Sequence, residues 1–222
     1  ATGGMSYPGT GSTGDGYRLA ERLGHTVVSP RAALVPIEAS EKWCAELMGL
    51  SLKNVTLTLK NAAGKAVFSE MGEMLFTHFG VSGPLVLSAS SYIKEDPGAY
   101  RIEIDLKPAL NMQQLDARLL RDFAENRNRD FINALDRLLP RKLIPVAVRL
   151  SGVAPEKKVH SITQAERRAF AALLKALPVT PKAFAPIEQA VITSGGISAR
   201  EINPKSMESK LIRGLYPIGE VV

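Results

Sequence analysis

The chain has 222 residues, 45% hydrophobic and 23% charged, with a formal charge of +6; this is one large or two small globular domains and excludes a disordered chain. The mild basic excess permits anionic ligands without demanding nucleic acid. The lone cysteine, Cys44, excludes an internal disulfide framework and fits a reducing cytoplasm, and the longest apolar runs, such as 84–89, fall far short of the ~20 residues of a membrane span.

Residues 1–16 are rich in glycine, serine and threonine. Such a stretch reads either as a linker or as a loop whose bare backbone lies against a ligand. Asp15 is expected to cap a short helix over 16–23, closed by Gly24. From Thr26 to Leu106 a strand pattern dominates. Val55, Leu57 and Leu59 alternate with polar residues, 61–64 supplies a hairpin turn, 65–71 returns, and Tyr100, Ile102, Ile104 and Leu106 alternate again. One segment, LFTHFGVSGP at 75–84, reads as strand, glycine-rich turn and helix start, with Ser82 as N-cap and an apolar helix over 85–93. Residues 109–182 read as helices. Leu115, Leu119 and Phe123 share one face, as do Phe131, Leu135 and Leu138, and Thr163 with Glu166 forms a capping box before a helix over 164–177. The interleaved charges of these helices read as a solvated face. A strand returns at 190–193, followed by Ser194-Gly195-Gly196. A helical block inside a strand block implies a helical insert on a small barrel. The chain opens on ATGG without an initiator methionine and closes within an apolar stretch, so it is expected to be an internal piece of a longer protein.

Three segments carry a resemblance in combination: ATGGMSYPGTGSTGDGYRLAERLGH at 1–25, LFTHFGVSGP at 75–84 and VITSGGISAREINPKSMESKLIRGLYPIGE at 191–220. Their order and spacing resemble the BaiN/YhiN-type family of flavoproteins, the NAD(P)/FAD-dependent or aminoacetone-oxidase-like oxidoreductases, over essentially the whole chain. The resemblance implies an α+β fold: a small, translation-factor-like β-barrel with an inserted helical subdomain, flanked by remnants of an FAD-binding domain. The expected division is 1–25 and 204–222 for those remnants, 26–108 with 183–203 for the barrel, and 109–182 for the insert. It further implies that Thr2, Gly3 and Gly4 lie along FAD, that Gly195 and Gly196 let backbone approach the flavin ring, and that Gly219 and Glu220 sit near its ribityl and pyrophosphate. Pro217-Ile218 departs from the aromatic-small pair usual in the family. No GxGxxG follows a strand, so the chain alone is expected to bind no FAD, and the rest of its own polypeptide is the expected partner. The parent is then an FAD-dependent oxidoreductase acting on a small molecule, with NAD(P)H as a possible reductant.

Of the three histidines, His78 alone stands in a glycine-rich turn. It is the candidate catalytic group, a proton donor or orienter, set against the plainer reading of a residue that caps its own turn. His25 and His160 are assigned no chemistry, and with no metal-ligand spacing among the three, no metal is expected. Ser82 lacks the frame of a nucleophile elbow. Two further readings stand beside the flavoenzyme: an RNA- or tRNA-binding barrel, disfavoured by the interleaved acids and few aromatics, and a purely structural interaction segment.

Overall fold

Alternating side chains and cooperative caps produce most of what is seen in the computed structural model, which describes residues 2–222. Among the described residues, nine strands and six α-helices occur in the order α1 (Asp15–Arg22), β1 (Val27–Ala33), β2 (Ile37–Ala39), α2 (Trp43–Glu46), β3 (Ser51–Lys60), β4 (Ala66–Phe76), β5 (Gly80–Ser82), α3 (Pro84–Ser90), β6 (Arg101–Asp105), α4 (Met112–Glu125), α5 (Ile144–Ser151), α6 (Gln164–Lys175), β7 (Leu177–Val179), β8 (Pro181–Phe184) and β9 (Ile192–Ile197). The chain divides into two compact units. The first comprises the chain up to Ile37, Val86–Ser91 and Phe184–Val222; the second comprises Glu38–Leu85 and Tyr92–Ala183.

The second unit is built on a sheet ordered β7-β6-β3-β4-β5-β2-β8. The hairpin expected at 61–64 joins β3 to β4, with Gly64 N–H bonded to Asn61 O and the strands antiparallel from Ser51↔Leu75 to Lys60↔Ala66. β6 pairs with the other edge of β3. The period of two sends Val55, Leu57, Leu59, Ile102 and Ile104 inward, all buried. α4, α5 and α6 belong to the same unit as this sheet. Their capping boxes are formed: Asn111 with Gln114 for α4, and Thr163 with Glu166 for α6. Leu115, Leu119 and Phe123 are buried as the 3.6-residue spacing requires, and Phe131 lies edge-on between Phe123 (6.1 Å) and Phe170 (5.0 Å). Arg167 grips Asp116 through two bonds, 2.7 and 3.1 Å.

The fold is mixed α/β, but the barrel ring is not closed by a ladder. β7 and β8 stand at opposite ends of the sheet order, although only Thr180 separates them in sequence. A single intervening residue is too short for a hairpin loop, so β7 and β8 run on from one another and cannot pair with each other. The junction is made with side chains: Thr180 N–H goes to the Glu41 carboxylate (3.0 and 2.9 Å), and Thr180 O accepts from Ser40 N–H.

In the first unit β1 and β9 form a separate two-stranded sheet, Val27↔Ile197 to Ala33↔Ile192. Ser194-Gly195-Gly196 therefore lies inside β9 rather than after it. Other local expectations shift too. Gly14, at φ 76, is the N-cap of α1, while Asp15 is its first residue, bonded to Thr13 and paired with Arg18. Ser82 ends β5 instead of capping a helix. Gly83, at φ 89, turns the chain so close to the Met74 backbone that no side chain fits there, and α3 begins at Pro84 and stops at Ser90. Among the described residues no helix is long and apolar enough to cross a membrane.

Candidate functional site

Segments far apart in sequence converge in the first unit. Thr193 Oγ1, at the start of the Thr-Ser-Gly-Gly run, accepts from Met5 N–H (2.7 Å) and Ser6 N–H (3.0 Å). Ser6 Oγ lies 3.2 Å from Thr193 Oγ1 and donates to Glu220 Oε2 (3.2 Å). Tyr17, on the buried side of α1, donates its hydroxyl to Glu220 O (2.8 Å). Burial first, and the Glu220 charge second, push the Tyr17 phenol up from its usual range, so it stays a donor. Gly4 packs against Thr193 and Glu220, and Gly16 against Thr2 and Val221. A Cβ at Gly195 would stand 2.6 Å from Ser29 O, and one at Gly196 would stand 2.6 Å from Val221 O. Both glycines have positive φ, 99 and 113. The fold itself thus requires glycine at both positions.

Thr2, Gly4, Gly196 and Glu220, drawn from the two terminal segments of the resemblance, are therefore neighbours. Gly3, at φ 69, packs on Ser12. Gly219, at φ 82, has no protein atom within 4 Å of where a Cβ would stand, so its outer face is bare backbone. Beside this cluster is an apolar cleft of about 150 Å³ lined by Leu19, Leu23, Ile197, Tyr216 and Ile218. Leu19, Leu23, Tyr216 and Ile218 are each about half exposed, at 52, 48, 54 and 49%. Complete small-molecule sites run to ~300–1,000 Å³, so this cleft by itself is smaller than one. Of the glycines expected along the cofactor, Gly219 offers open backbone, whereas Gly3, Gly4, Gly195 and Gly196 are packed against other segments of the protein. Thr193, Ser6 and Tyr17 were not singled out from sequence; the one local signal was the position of Thr193 directly before the Ser-Gly-Gly run.

His25, assigned no chemistry from sequence, is buried in a relay. Its Nδ1–H donates to Glu201 Oε2 (2.9 Å), and its Nε2 accepts from Ser209 Oγ (2.9 Å). Hydrogen bonds from Thr26 first, and from His25 second, hold the Glu201 carboxyl below its usual range. Hydroxyl, imidazole and carboxylate stand in the order used by serine hydrolases. Here, however, Ser209 is buried and its Oγ also accepts from Leu211 and Ile212 N–H (3.1 and 3.0 Å). The relay pins the 199–212 loop to the end of α1.

His78 lies in the second unit, on the turn between β4 and β5. It does not cap that turn: Thr77 does, through Thr77 N–H to Gly80 O (2.9 Å) and Gly80 N–H to Thr77 Oγ1 (3.1 Å). The His78 ring is exposed, edge-on to Phe79 at 4.9 Å, and makes no hydrogen bond among the described residues. It borders an open groove of about 550 Å³. His160 Nδ1 bonds Arg127 O (2.7 Å) on the surface. Cys44 is buried, and its thiol is pushed up to about 12, chiefly by burial and then by Glu41, which leaves it unreactive. Among the described residues no group of three or more His, Cys, Asp or Glu side chains is placed to hold a metal ion.

These features define a mixed α/β protein that joins an open-sheeted barrel-like unit to helices and carries a separate glycine-rich cluster. Residues 31–192 match the family model described as HI0933-like protein barrel and H2TH domain, and the chain belongs to that family, one of flavoprotein oxidoreductases. It is similar to the ribosomal RNA dihydrouridine synthases of Haemophilus influenzae and Escherichia coli, with 33% identity to each over 225 residues, covering 100% of this chain and 53% of theirs. It is also similar to a 3-dehydro-bile acid delta(4,6)-reductase of Clostridium scindens, 26% identical over 228 residues, 100% of this chain and 54% of that one. The chain spans about half the length of these curated relatives.

Proposed function

We propose that this chain is the barrel-and-helix half of a BaiN/YhiN-type flavin-dependent reductase, and that the complete protein saturates the C5=C6 bond of a uridine in ribosomal RNA. The observation that carries this reading is the 33% identity, over the whole chain, to two ribosomal RNA dihydrouridine synthases. The bile acid reductase, at 26%, supports the same chemistry on a small molecule. In both cases hydrogen is added across a carbon–carbon double bond conjugated to a carbonyl. RNA thereby replaces the small substrate expected from the sequence.

Thr2, Gly3, Gly4, Gly195, Gly196, Gly219 and Glu220 hold FAD together with the remainder of the polypeptide, which covers the apolar cleft beside them. A reduced flavin supplies the hydride when bound, and NAD(P)H restores it. The reduction also needs one proton at the carbon next to the carbonyl, and His78 is its source: the ring is exposed, makes no hydrogen bond among the described residues, and carries a side chain of the general acid–base type.

Two measurements test this. Ribosomal RNA from cells lacking the gene is digested and its dihydrouridine quantified by mass spectrometry. Loss of one modified position, restored by the complete gene, is expected; unchanged dihydrouridine overturns the RNA reading, and reduction of a steroid enone instead restores the small-molecule one. In the complete protein, His78→Asn is expected to lower turnover by about 10²-fold with flavin absorbance unchanged. Unaltered turnover and pH profile would remove His78 from the chemistry.

A further inference from the structure

The groove beside His78 has no role in the chemistry described so far, yet its lining is specific. It runs between the β4–β5 turn, the residues just after β2, and β8. Lys42 and Lys182 both border it, both are exposed, and neither has a carboxylate within 4.0 Å among the described residues. Lys60, Lys157, Lys158 and Lys175 in the same unit have such partners, and Lys53, Lys65, Lys94, Lys107 and Lys142 do not; Lys42 and Lys182 are the two unpaired ones that share the lining of a groove with an aromatic ring. The one acid in the lining, Glu41, is turned to the Thr180 N–H at the strand junction. Ser40 offers a hydroxyl with no partner among the described residues, its N–H being used by Thr180 O. Phe79 is half-buried, its carbonyl fixed by Ala39 N–H (3.0 Å), and it presents a ring braced edge-on by His78.

We infer that this groove seats a single-stranded stretch of RNA, with Lys42 and Lys182 on consecutive or nearby phosphates and one unstacked base against Phe79. The inference rests on the RNA-directed reading above. Cations without internal partners release counterions when they meet phosphates. A fixed aromatic ring gives an unpaired base a stacking surface. Together they bring a splayed-out base beside the exposed imidazole, which a reaction on a base carbon requires. The second unit also carries most of the positive charge, 21 lysines and arginines against 16 aspartates and glutamates.

The test uses the complete, flavin-loaded protein and a fluorescein-labelled, uridine-rich single-stranded RNA of about 12 nucleotides, within the 4–16 covered by typical strand-binding folds. Binding is read by anisotropy at several salt concentrations. Lys42→Gln with Lys182→Gln is expected to weaken binding about tenfold and to flatten the slope of log K against log salt by about 1.4, about 0.7 per lost phosphate contact. Phe79→Leu keeps the apolar volume; it is expected to weaken binding by about tenfold with the salt slope unchanged. Flavin absorbance and melting temperature monitor folding in each variant. Wild-type affinity and slope in all variants overturn the groove, and if dihydrouridine is still made the functional reading survives without it. Competition by NADPH that depends on the same lysines would reassign their anion to a dinucleotide reductant and overturn the RNA seat. If the wild-type protein neither binds RNA nor reduces it, the functional reading fails first and takes the groove with it.

Discussion

The two units are held together in different ways. The second has a broad apolar interior: Leu57, Leu59, Ile102, Ile104, Leu115, Leu119, Phe131 and Phe170 are all essentially inaccessible. Its polar contacts, such as Arg167–Asp116 and the two capping boxes, fasten helix ends and faces that apolar burial has already brought together. The first unit buries Val35, Ile37, Val86, Ala89 and Ala190 and has a small separate cluster, Tyr17, Ala20, Ile197, Ile202 and Val221. Around that cluster its distant segments are also tied by buried or half-buried side-chain bonds: Ser6 with Thr193 and Glu220, and His25 with Glu201 and Ser209. Burial is non-directional and tolerates substitution, whereas hydrogen bonds fix the position and direction of backbone. The glycine-rich cluster is the region built by the directional interaction.

The largest effect is expected where burial is greatest. Phe131→Ala removes the ring between Phe123 and Phe170 and should cost about 3–5 kcal/mol by denaturant unfolding. Hydrogen exchange should show protection lost in α4 and α6 and retained in β1 and β9. Equal loss in both units would make them one cooperative body and break the contrast. Next, His25→Ala strands the Ser209 hydroxyl and the Glu201 carboxylate, at about 1–3 kcal/mol. Trypsin should then cut faster at Lys205, Lys210 and Arg213 while the second unit stays protected; an unchanged digestion pattern would show that the loop is held by something else.

The smallest effects concern caps and acid. Thr163→Ala removes half of the α6 capping box and should lower Tm by about 2–4 °C. Hydrogen bonds from Lys157 first and Thr163 second hold the Glu166 carboxyl at about 2. Its folded value lies below the unfolded 4.5, so its stabilisation is complete above pH 4.5 and is lost as pH falls toward 2. Glu166→Gln should flatten that part of the Tm-versus-pH curve. Glu201 is shifted in the same direction, so acid should also loosen the first unit; Glu201→Gln distinguishes the two contributions.

What could be read in advance follows this contrast. The alternation at Val55–Leu59 and Tyr100–Leu106, the Asn61–Gly64 turn, the Thr163–Glu166 box and the buried face at Leu115–Phe123 all have structural counterparts; Phe131, Leu135 and Leu138 are buried as expected, but on a short 3-10 turn and the turns after it rather than on a helix. Each depends on residues within a few positions of one another, where a period of 2 or 3.6 or a cap spacing is visible. The grouping of Thr2, Gly4, Gly196 and Glu220 was suggested only by matching whole segments to a family, because no local pattern links residues about 200 positions apart.

The sequence by itself determined the β3–β4 hairpin, β6, the α6 capping box and the inward faces of these elements, since backbone sterics and hydrophobic period act over one or two turns. Only the tertiary structure decided that β7 and β8, joined by Thr180 alone, stand at opposite ends of the sheet order, that His25 is a buried link rather than the spare end of a helix, and that Lys42, Phe79 and Lys182 border one groove. Those outcomes depend on where distant chain segments meet, and hydrogen bonds such as Thr180 N–H to Glu41 and Ser6 to Glu220 join residues 139 and 214 positions apart.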